Sequence, residues 1–401
     1  MAALSVAEAL DRILIGVVPV ETEFVGLLEA GGRILAAPLA AMRTHPPFDA
    51  SAMDGYAVRA ADVVRLPATL TLIGQSAAGR PFVGSVAPGQ AVRIFTGAPL
   101  PDGADAIVIQ ENATSDGSLV TVVDGRPDAD HIRPMGGDFT AGQCLLAPGI
   151  RLTARHVLLA AGMGHARVPV HRKPVVAIMS TGDELVPPGE HLAAGQITAS
   201  NAYAIAALAT AAGAEPRYLG IARDTVSDLC AHITAAAGAD ILVTIGGASV
   251  GDHDLVASAF QQTGFDLDFW KIAMRPGKPL IHARNGRLAA LGLPGNPVSS
   301  LICARVFLVP LIARLSGATG LDDHAIRAQL TEPLGANGPR QHYMRAALDH
   351  TLDGQARVTP ARSQDSSLSA LLAASNALIV RPPNAPPAAA GENVSVLAID
   401  F

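Results

Sequence analysis

From residue 173 onward, short apolar runs alternate with helical periods, and this alternation limits the fold more than any other feature of the chain. PVVAIMS is an apolar strand that ends in the polar loop STGDE. ASNAYAIAALATAAG follows as a helix, with Ser200 or Asn201 as its cap. RYLGIA is the second strand, and Asp224 or Thr225 caps the helix TVSDLCAHITAAAG. DILVTIGG is a third strand, followed by the helix DLVASAFQQTG, and LAALGLPGNP is a further strand opening the helix VSSLICARVFLVPLIARL. Strands joined through helices form βαβ units and a mostly parallel sheet. Such sheets bind ligands at the carboxyl ends of their strands. STGDE, GGASVGDHD and LPGNP fall at those ends, so residues 173–317 are expected to hold a small-molecule site.

The flanking segments have a different texture. Residues 1–45 read as helical, and the helical period returns at TARHVLLAAGMG. Between them TLTLIG, QAVRIF, DAIVIQ and SLVTVV alternate with the turn signals GR, PDG and SDG, the pattern of a small β domain inserted into a helical one. After SGATG the runs AIRAQL, YMRAAL, ARVTP, ALIVRPP and VSVLAI announce a C-terminal β domain, with RPPNAPPAAAGE as a surface loop. The expected division is 1–45 with 140–172, then 46–139, 173–317 and 318–401.

Composition narrows the functional classes. With 49% apolar residues in 401, the chain has material for several cores. The 29 basic and 35 acidic residues leave a net charge of -6, which argues against nucleic acid as the main partner but permits a small anion in a local basic pocket. Cys144, Cys230 and Cys303 stand far apart without a CxxC pair, and read as buried inert thiols of a reducing compartment. MAALSVAEALDRILIGVV carries Glu8, Asp11 and Arg12 in its apolar run, which fits an amphipathic helix rather than a signal peptide. VSSLICARVFLVPLIARL contains Arg305 and Pro310 and reads as a buried helix rather than a membrane span.

Several constellations carry chemistry. In TIGGASVGDHD, Gly246, Gly247 and Gly251 allow close backbone approach to an anion, Ser249 adds a hydroxyl, and Asp252 with Asp254 points to a divalent cation. No Lys follows in the manner of a phosphate-binding GxxxxGK[ST] loop. Glu184 and Asp224 end neighbouring strands on the same rim. Asp224 could equally cap a helix, yet several acids on one rim are costly unless a cation sits among them. WKIAMRPGKPL gathers Lys271, Arg275 and Lys278, and Pro276, Gly277 and Pro279 restrict its backbone, an arrangement suited to an oxyanion. LPGNP stiffens the turn before a helix N-terminus whose first turn holds Ser299 and Ser300. Neither HExxH nor GxGxxG occurs. FDASAMDGYAVRA sets Asp49 and Asp54 among Phe48, Met53 and Tyr56 in a stretch that reads as too polar for core.

In their order and wording, PPFDASAMDGYAVRA, IFTGAPLPDGADAIV, RPMGGDFTAG, STGDEL, TIGGASVGDHD, WKIAMRPGKP and GLPGNPVSS resemble the MoeA-type molybdenum insertases, or molybdopterin molybdenumtransferases, a module also carried by gephyrin and plant homologues. The resemblance implies a multidomain α/β plus β fold. A central MogA-like α/β domain is joined by an N-terminal helical domain with an inserted β domain and by a C-terminal barrel-like β domain, in an elongated homodimer. It implies molybdate insertion into adenylylated molybdopterin with AMP release and a divalent cation, usually Mg2+, in the cytoplasm. The alternatives are adenylyl transfer to molybdopterin and a gephyrin-like scaffold. Transient contacts with molybdopterin adenylyltransferase, molybdopterin synthase and molybdoenzyme chaperones belong to the same implication, and neither nucleic acid nor membrane does.

By the same resemblance, Asp54, Thr96 and Asp138 line a cleft shared across the dimer, opposite the acids Glu184, Asp224 and Asp254, which are the candidates for holding the cation. Lys271, Arg275, Lys278, Pro294 and Pro297 are matched to substrate binding, a role also expected of Gly246, Gly247, Ser249, Gly251 and Ser299 from the loop readings above. Arg345 and Ser366 are matched to molybdate, with Ser367 an equal alternative to Ser366. Ala50, Gly137 and Arg275 depart from the usual pattern, in which Asn, an acid and Lys stand; Arg275 keeps the charge with a different donor geometry.

Overall fold

The computed structural model describes residues 3–125, 128–247, 255–320, 325–352 and 354–399. Its centre is the α/β segment. Strand β1 (Val175–Thr181) leads to helix α1 (Asn201–Ala212), strand β2 (Glu215–Ala222), helix α2 (Val226–Ala235) and strand β3 (Ile241–Ile245). Helix α3 (Leu255–Gln262), strands β4 (Asp266–Phe269), β5 (Ile281–Asn285) and β6 (Leu288–Leu293), and helix α4 (Pro297–Cys303) complete it. The spatial order is β2-β1-β3-β6-β5-β4. The first four strands are parallel, and β5 and β4 extend the sheet as antiparallel neighbours. Strand order reverses at β1, where the crossover to β2 goes one way and that to β3 the other. A crevice opens at such a switch point.

Continuous apolar runs explain this centre. Every residue of β3 is buried, as a strand covered on both faces requires. Val176, Ile178, Val243 and Leu291 face one core, while Ala177, Met179, Leu242 and Ala290 face the other, so the period of two divides each strand between two helical layers. The apolar span Pro297–Leu315 is 72% buried in the first of these cores. It runs as α4, a π segment Ala304–Leu308 and a helix Val309–Leu315. Pro310 lacks an N–H and its ring crowds the Val306 carbonyl, which the wider π turn relieves.

The N-terminal region is less helical than its residues suggest. Helix Val6–Leu14 begins with a capping box: the Ser5 N–H donates to Glu8 Oε2 at 2.8 Å, and the Glu8 N–H donates to Ser5 Oγ at 3.2 Å. It buries Val6, Ala9 and Ile13 in the α/β core. Thr22–Gly26, however, is a strand paired antiparallel with Arg167–His171, and only the single turn Leu27–Ala30 is helical thereafter. Pairing with a partner about 145 positions away outweighs local propensity here. Arg172 fastens this region to the sheet, donating to both oxygens of Asp240 at 2.7 Å and to Glu21 at 2.8 Å.

A second six-stranded sheet lies within residues 55–122, in the order Ala106–Ile109, Gly55–Val58, Gln90–Ile94, Ala68–Ser76, Leu119–Val122, Ala113–Ser115. All four residues of Gly55–Val58 are buried, so this half of the polar-looking FDASAMDGYAVRA stretch is core after all. Gly55 has a packing reason: a Cβ there would lie 2.0 Å from the Val108 carbonyl oxygen. The C-terminal strands Ile326–Leu330, Gln341–His350, Ala356–Pro360, Ala377–Arg381 and Asn393–Ala398 close into a barrel, because Gln341–His350 pairs with both Ala356–Pro360 and Ala377–Arg381. The thiols are not uniformly buried: Cys303 is, Cys230 is half-buried, and Cys144 is exposed on a short outer strand.

Candidate functional site

The largest cavity at the strand ends, about 670 Å³, is framed by the loops after β1, β3 and β6. Glu184, Gly246, Gly247, Pro294, Pro297 and Ser299 all line it. Close approach of the loops dictates the glycines. A Cβ on Gly246 would meet the Thr181 carbonyl oxygen at 2.7 Å, and one on Gly247 would meet Val256 Cγ2 at 2.7 Å and Thr181 Oγ1 at 2.8 Å. Gly182, at φ 146°, carries the Glu184 carboxylate folded back above its Cα, where a Cβ would lie 2.3 Å from Glu184 Oε2. The PGNP turn is stitched on both sides. Asn201 Nδ2 donates to the Gly295 carbonyl at 2.7 Å, and Asn296 Nδ2 donates to Ser366 Oγ at 2.9 Å. The Val298 N–H donates to the Ser366 carbonyl at 3.1 Å, and Ser367 rather than Ser366 lines the cavity.

Asp224 does not cap its helix. Thr225 does, accepting from the Asp228 N–H at 3.3 Å. Asp224 is exposed and does not line this cavity, its own N–H donating to Asp183 Oδ1 at 3.2 Å. No donor among the described residues engages the Glu184 or Asp224 carboxylates. Ser249, Gly251 and Asp254 lie outside the described residues, as does Asp252. Among the described residues no three His, Cys, Asp or Glu side chains converge as a metal centre.

The cationic segment joins the sheet to the barrel. Met274–Arg275 pairs parallel with Gln341–His342, and the turn after it fits tightly because a Cβ on Gly277 would strike Cys303 Sγ at 2.3 Å. Pro279 reaches the cavity; Lys271 is half-buried, and Arg275 and Lys278 are exposed. Next to Arg275 the imidazole of His342 is buried, and its pKa is pulled to about 4 by burial first and then by Arg275, Arg340 and Arg381. His342 is thus neutral at pH 7. Arg340 was not singled out from sequence; the signal for it is the strand register that sets His342 opposite Arg275.

Arg345 is placed differently from a ligand-holding cation. It is 1% exposed, and its guanidinium donates to the carbonyls of Leu368, Ser363 and Asp365 at 2.9, 2.9 and 2.8 Å. Gln364 repeats the tie, accepting from the Arg345 N–H at 2.9 Å and donating to its carbonyl at 3.0 Å. Arg345 therefore holds the loop that brings Ser366 against Asn296 and Ser367 into the cavity.

In the inserted sheet, Asp54 Oδ1 accepts from the Thr96 N–H at 2.8 Å and the Thr96 hydroxyl at 2.7 Å. The Thr96 backbone donor above all, then its hydroxyl and the nearby Arg93 charge, holds the Asp54 carboxyl below the usual carboxylate range. Arg93 itself lies over the rings of Tyr56 and Phe95 at 4.9 and 5.1 Å. Asp138 is exposed, with its N–H donating to the His45 carbonyl at 3.1 Å. None of Asp54, Thr96 and Asp138 borders the cavity.

Such an open, mostly parallel sheet, with a polar cavity at its switch point and two β modules attached, defines a multidomain α/β protein with a cavity of small-molecule size. The comparisons with known proteins identify which. The MoeA N-terminal region (domain I and II) matches residues 4–164, the probable molybdopterin binding domain matches 177–314, and the MoeA C-terminal region (domain IV) matches 327–399. The molybdopterin molybdenumtransferase of Nostoc sp. is 38% identical, covering 94% of this chain and 89% of its own length. That of Bacillus subtilis is 36% identical, covering 94% and 90%. Two crystal structures of the molybdopterin biosynthesis MoeA protein from Pyrococcus horikoshii superpose with TM-scores of 0.85 and 0.84 at 30% and 26% identity, covering 99% of this chain and 99% and 100% of theirs. The chain belongs to the molybdopterin molybdenumtransferase family.

Proposed function

We propose that this protein inserts molybdenum into adenylylated molybdopterin, releasing AMP and yielding the molybdenum cofactor, and that it does so as a homodimer. The observation that carries the reading is the one-sided cavity. Glycine-rich strand ends, Glu184 and, from the cationic segment, Pro279 line it, but no described residue of 46–139 does. The wall holding Asp54 and Thr96 would then come from the other subunit, and the site would be incomplete in one chain.

The donor chemistry supports a divalent cation. Glu184 and Asp224 are hard oxygen ligands at neighbouring strand ends, not engaged by donors among the described residues, and Asp254 is a third candidate. Bound there, Mg2+ would neutralise phosphate oxygens. The chain's own residues do the rest. Gly246 and Gly247, without side chains, leave the cavity wall open to a phosphate, and Arg275, Lys278 and Arg340 offset the two negative charges of incoming molybdate. Ser299 lines the cavity with a hydroxyl, while the Ser367 hydroxyl donates to Asp365 Oδ1 at 2.8 Å. Asp54, already ionised and fixed by Thr96, repels a misplaced oxyanion and orients a donor on the substrate. A reducing cytoplasm suits this chemistry, since the substrate carries dithiolene sulfurs.

The test combines purified protein, adenylyl-molybdopterin, Mg2+ and molybdate. AMP release on adding molybdate, together with reconstitution of a cofactor-free acceptor enzyme, is the expected result. Formation of adenylyl-pterin from ATP, with no molybdate-dependent AMP, would contradict it.

A further inference from the structure

A second concavity of about 540 Å³ opens on the other side of the Gly182–Glu184 ridge, at the sheet edge formed by β2. Tyr203, in the first turn of α1, and Tyr218, on β2, form its wall, with Pro187 and Arg223 at its ends. Both tyrosines are large apolar rings left in solvent, 48% and 42% exposed, with centroids 5.6 Å apart and planes 45° apart. The groove is continuous with the main cavity: Leu185 lines both, and the Tyr218 hydroxyl faces Ser180, a buried residue of the cavity wall. The Arg223 guanidinium has no partner among the described residues.

We infer that this tyrosine groove is the subsite for the purine base of the adenylylated substrate, an inference that rests on the function proposed above. The argument is one of linear order. Across the sheet run the tyrosine pair of α1 and the edge strand β2, the acidic ridge after β1, the glycines after β3 and the PGNP turn after β6. The cations of 271–278 and the 366–367 loop lie beyond that turn. Three strand intervals of about 4.8 Å separate the ends, roughly 14 Å. The substrate has a matching order, with base and ribose at one end, the pyrophosphate next, and the dithiolene-bearing pterin beyond. An oxyanion destined for the sulfurs belongs with the cations, which leaves the base at the opposite, aromatic end. A base cannot slip between the rings, since that needs two intervals of roughly 3.5 Å. It lies across the pair, stacked on one face, with Arg223 over the ribose-phosphate.

Calorimetric titration with AMP and with ribose 5-phosphate, both in Mg2+, tests this. Tyr203→Ala should weaken AMP binding about 5- to 150-fold, the range of one base–aromatic stack. It should leave ribose 5-phosphate unaffected and raise the KM for adenylyl-molybdopterin with kcat kept. Tyr203→Phe should restore AMP binding. Unchanged AMP affinity and KM in Tyr203→Ala, or equal losses for both probes, would overturn the subsite. If that happens while the wild type still releases AMP on adding molybdate, the function stands and only the subsite falls. A wild type that neither binds nor releases AMP removes both.

Discussion

Asp54 is a half-buried carboxylate and Glu184 an exposed one, and the chain treats them oppositely. Asp54 receives two donors from one residue, Thr96, and is kept ionised before any ligand arrives. Glu184 is folded over Gly182 and takes no donor from the described residues. The first carboxylate is a finished anion on a rigid β corner; the second is an open ligand at a sheet switch point. In the proposed cleft, one wall presents fixed charge and the other waits for a cation.

The largest effect should come from removing the finished anion. Asp54→Ala is expected to lower molybdate-dependent AMP release by about 10²–10³-fold, the scale for one preorganised polar group. Circular dichroism should be unchanged, since Asp54 is not in the sheet core. A fall of less than threefold would reduce Asp54 to a turn residue. Next is the open ligand. Gly182→Ala places a methyl 2.3 Å from Glu184 Oε2 at φ 146°, so the carboxylate must move, and a loss of roughly 10²-fold is expected, partly recovered at high Mg2+.

These two residues also show what the chain's residues reveal and what they hide. Strand–helix alternation made the parallel sheet and its loops readable because each βα unit is local in sequence. The register of Thr22–Gly26 with Arg167–His171 was not, because both segments are short and their pairing is decided by tertiary contacts. Gly55–Val58 looked like a polar loop for the same reason: small residues conceal a central strand when its neighbours lie 35–54 positions away. Arg345 was matched to molybdate through the resemblance alone, and its inward orientation depends on three carbonyls of a loop about 20 residues on.

Arg345 sharpens the contrast further, as a buried cation already donating to three carbonyls. Arg345→Met leaves those carbonyls without their donor, and a loss of about 3 kcal/mol in barrel stability is expected from chemical denaturation. If stability is unchanged and only molybdate dependence shifts, Arg345 is a ligand and not a strut. The smallest effect concerns pH. The depressed pKa means Asp54 stays ionised as pH falls below the ordinary carboxylate range, and its contribution is lost only as pH passes through that lowered value. Thr96→Val removes the hydroxyl donor while keeping the N–H. The acid limb of the rate profile should move to higher pH by a fraction of a unit, with little change at pH 7.

The shared cleft is the claim on which the rest depends, and subunit mixing tests it directly. Asp54→Ala and Glu184→Gln chains, each inactive alone, are to be unfolded together, refolded and assayed. If each site takes Asp54 from one subunit and Glu184 from the other, half of the mixed population is heterodimer with one intact site of two, and ~25% of wild-type activity returns. If both residues serve the same site from one chain, every site carries a defect and no activity returns, which would contradict the account.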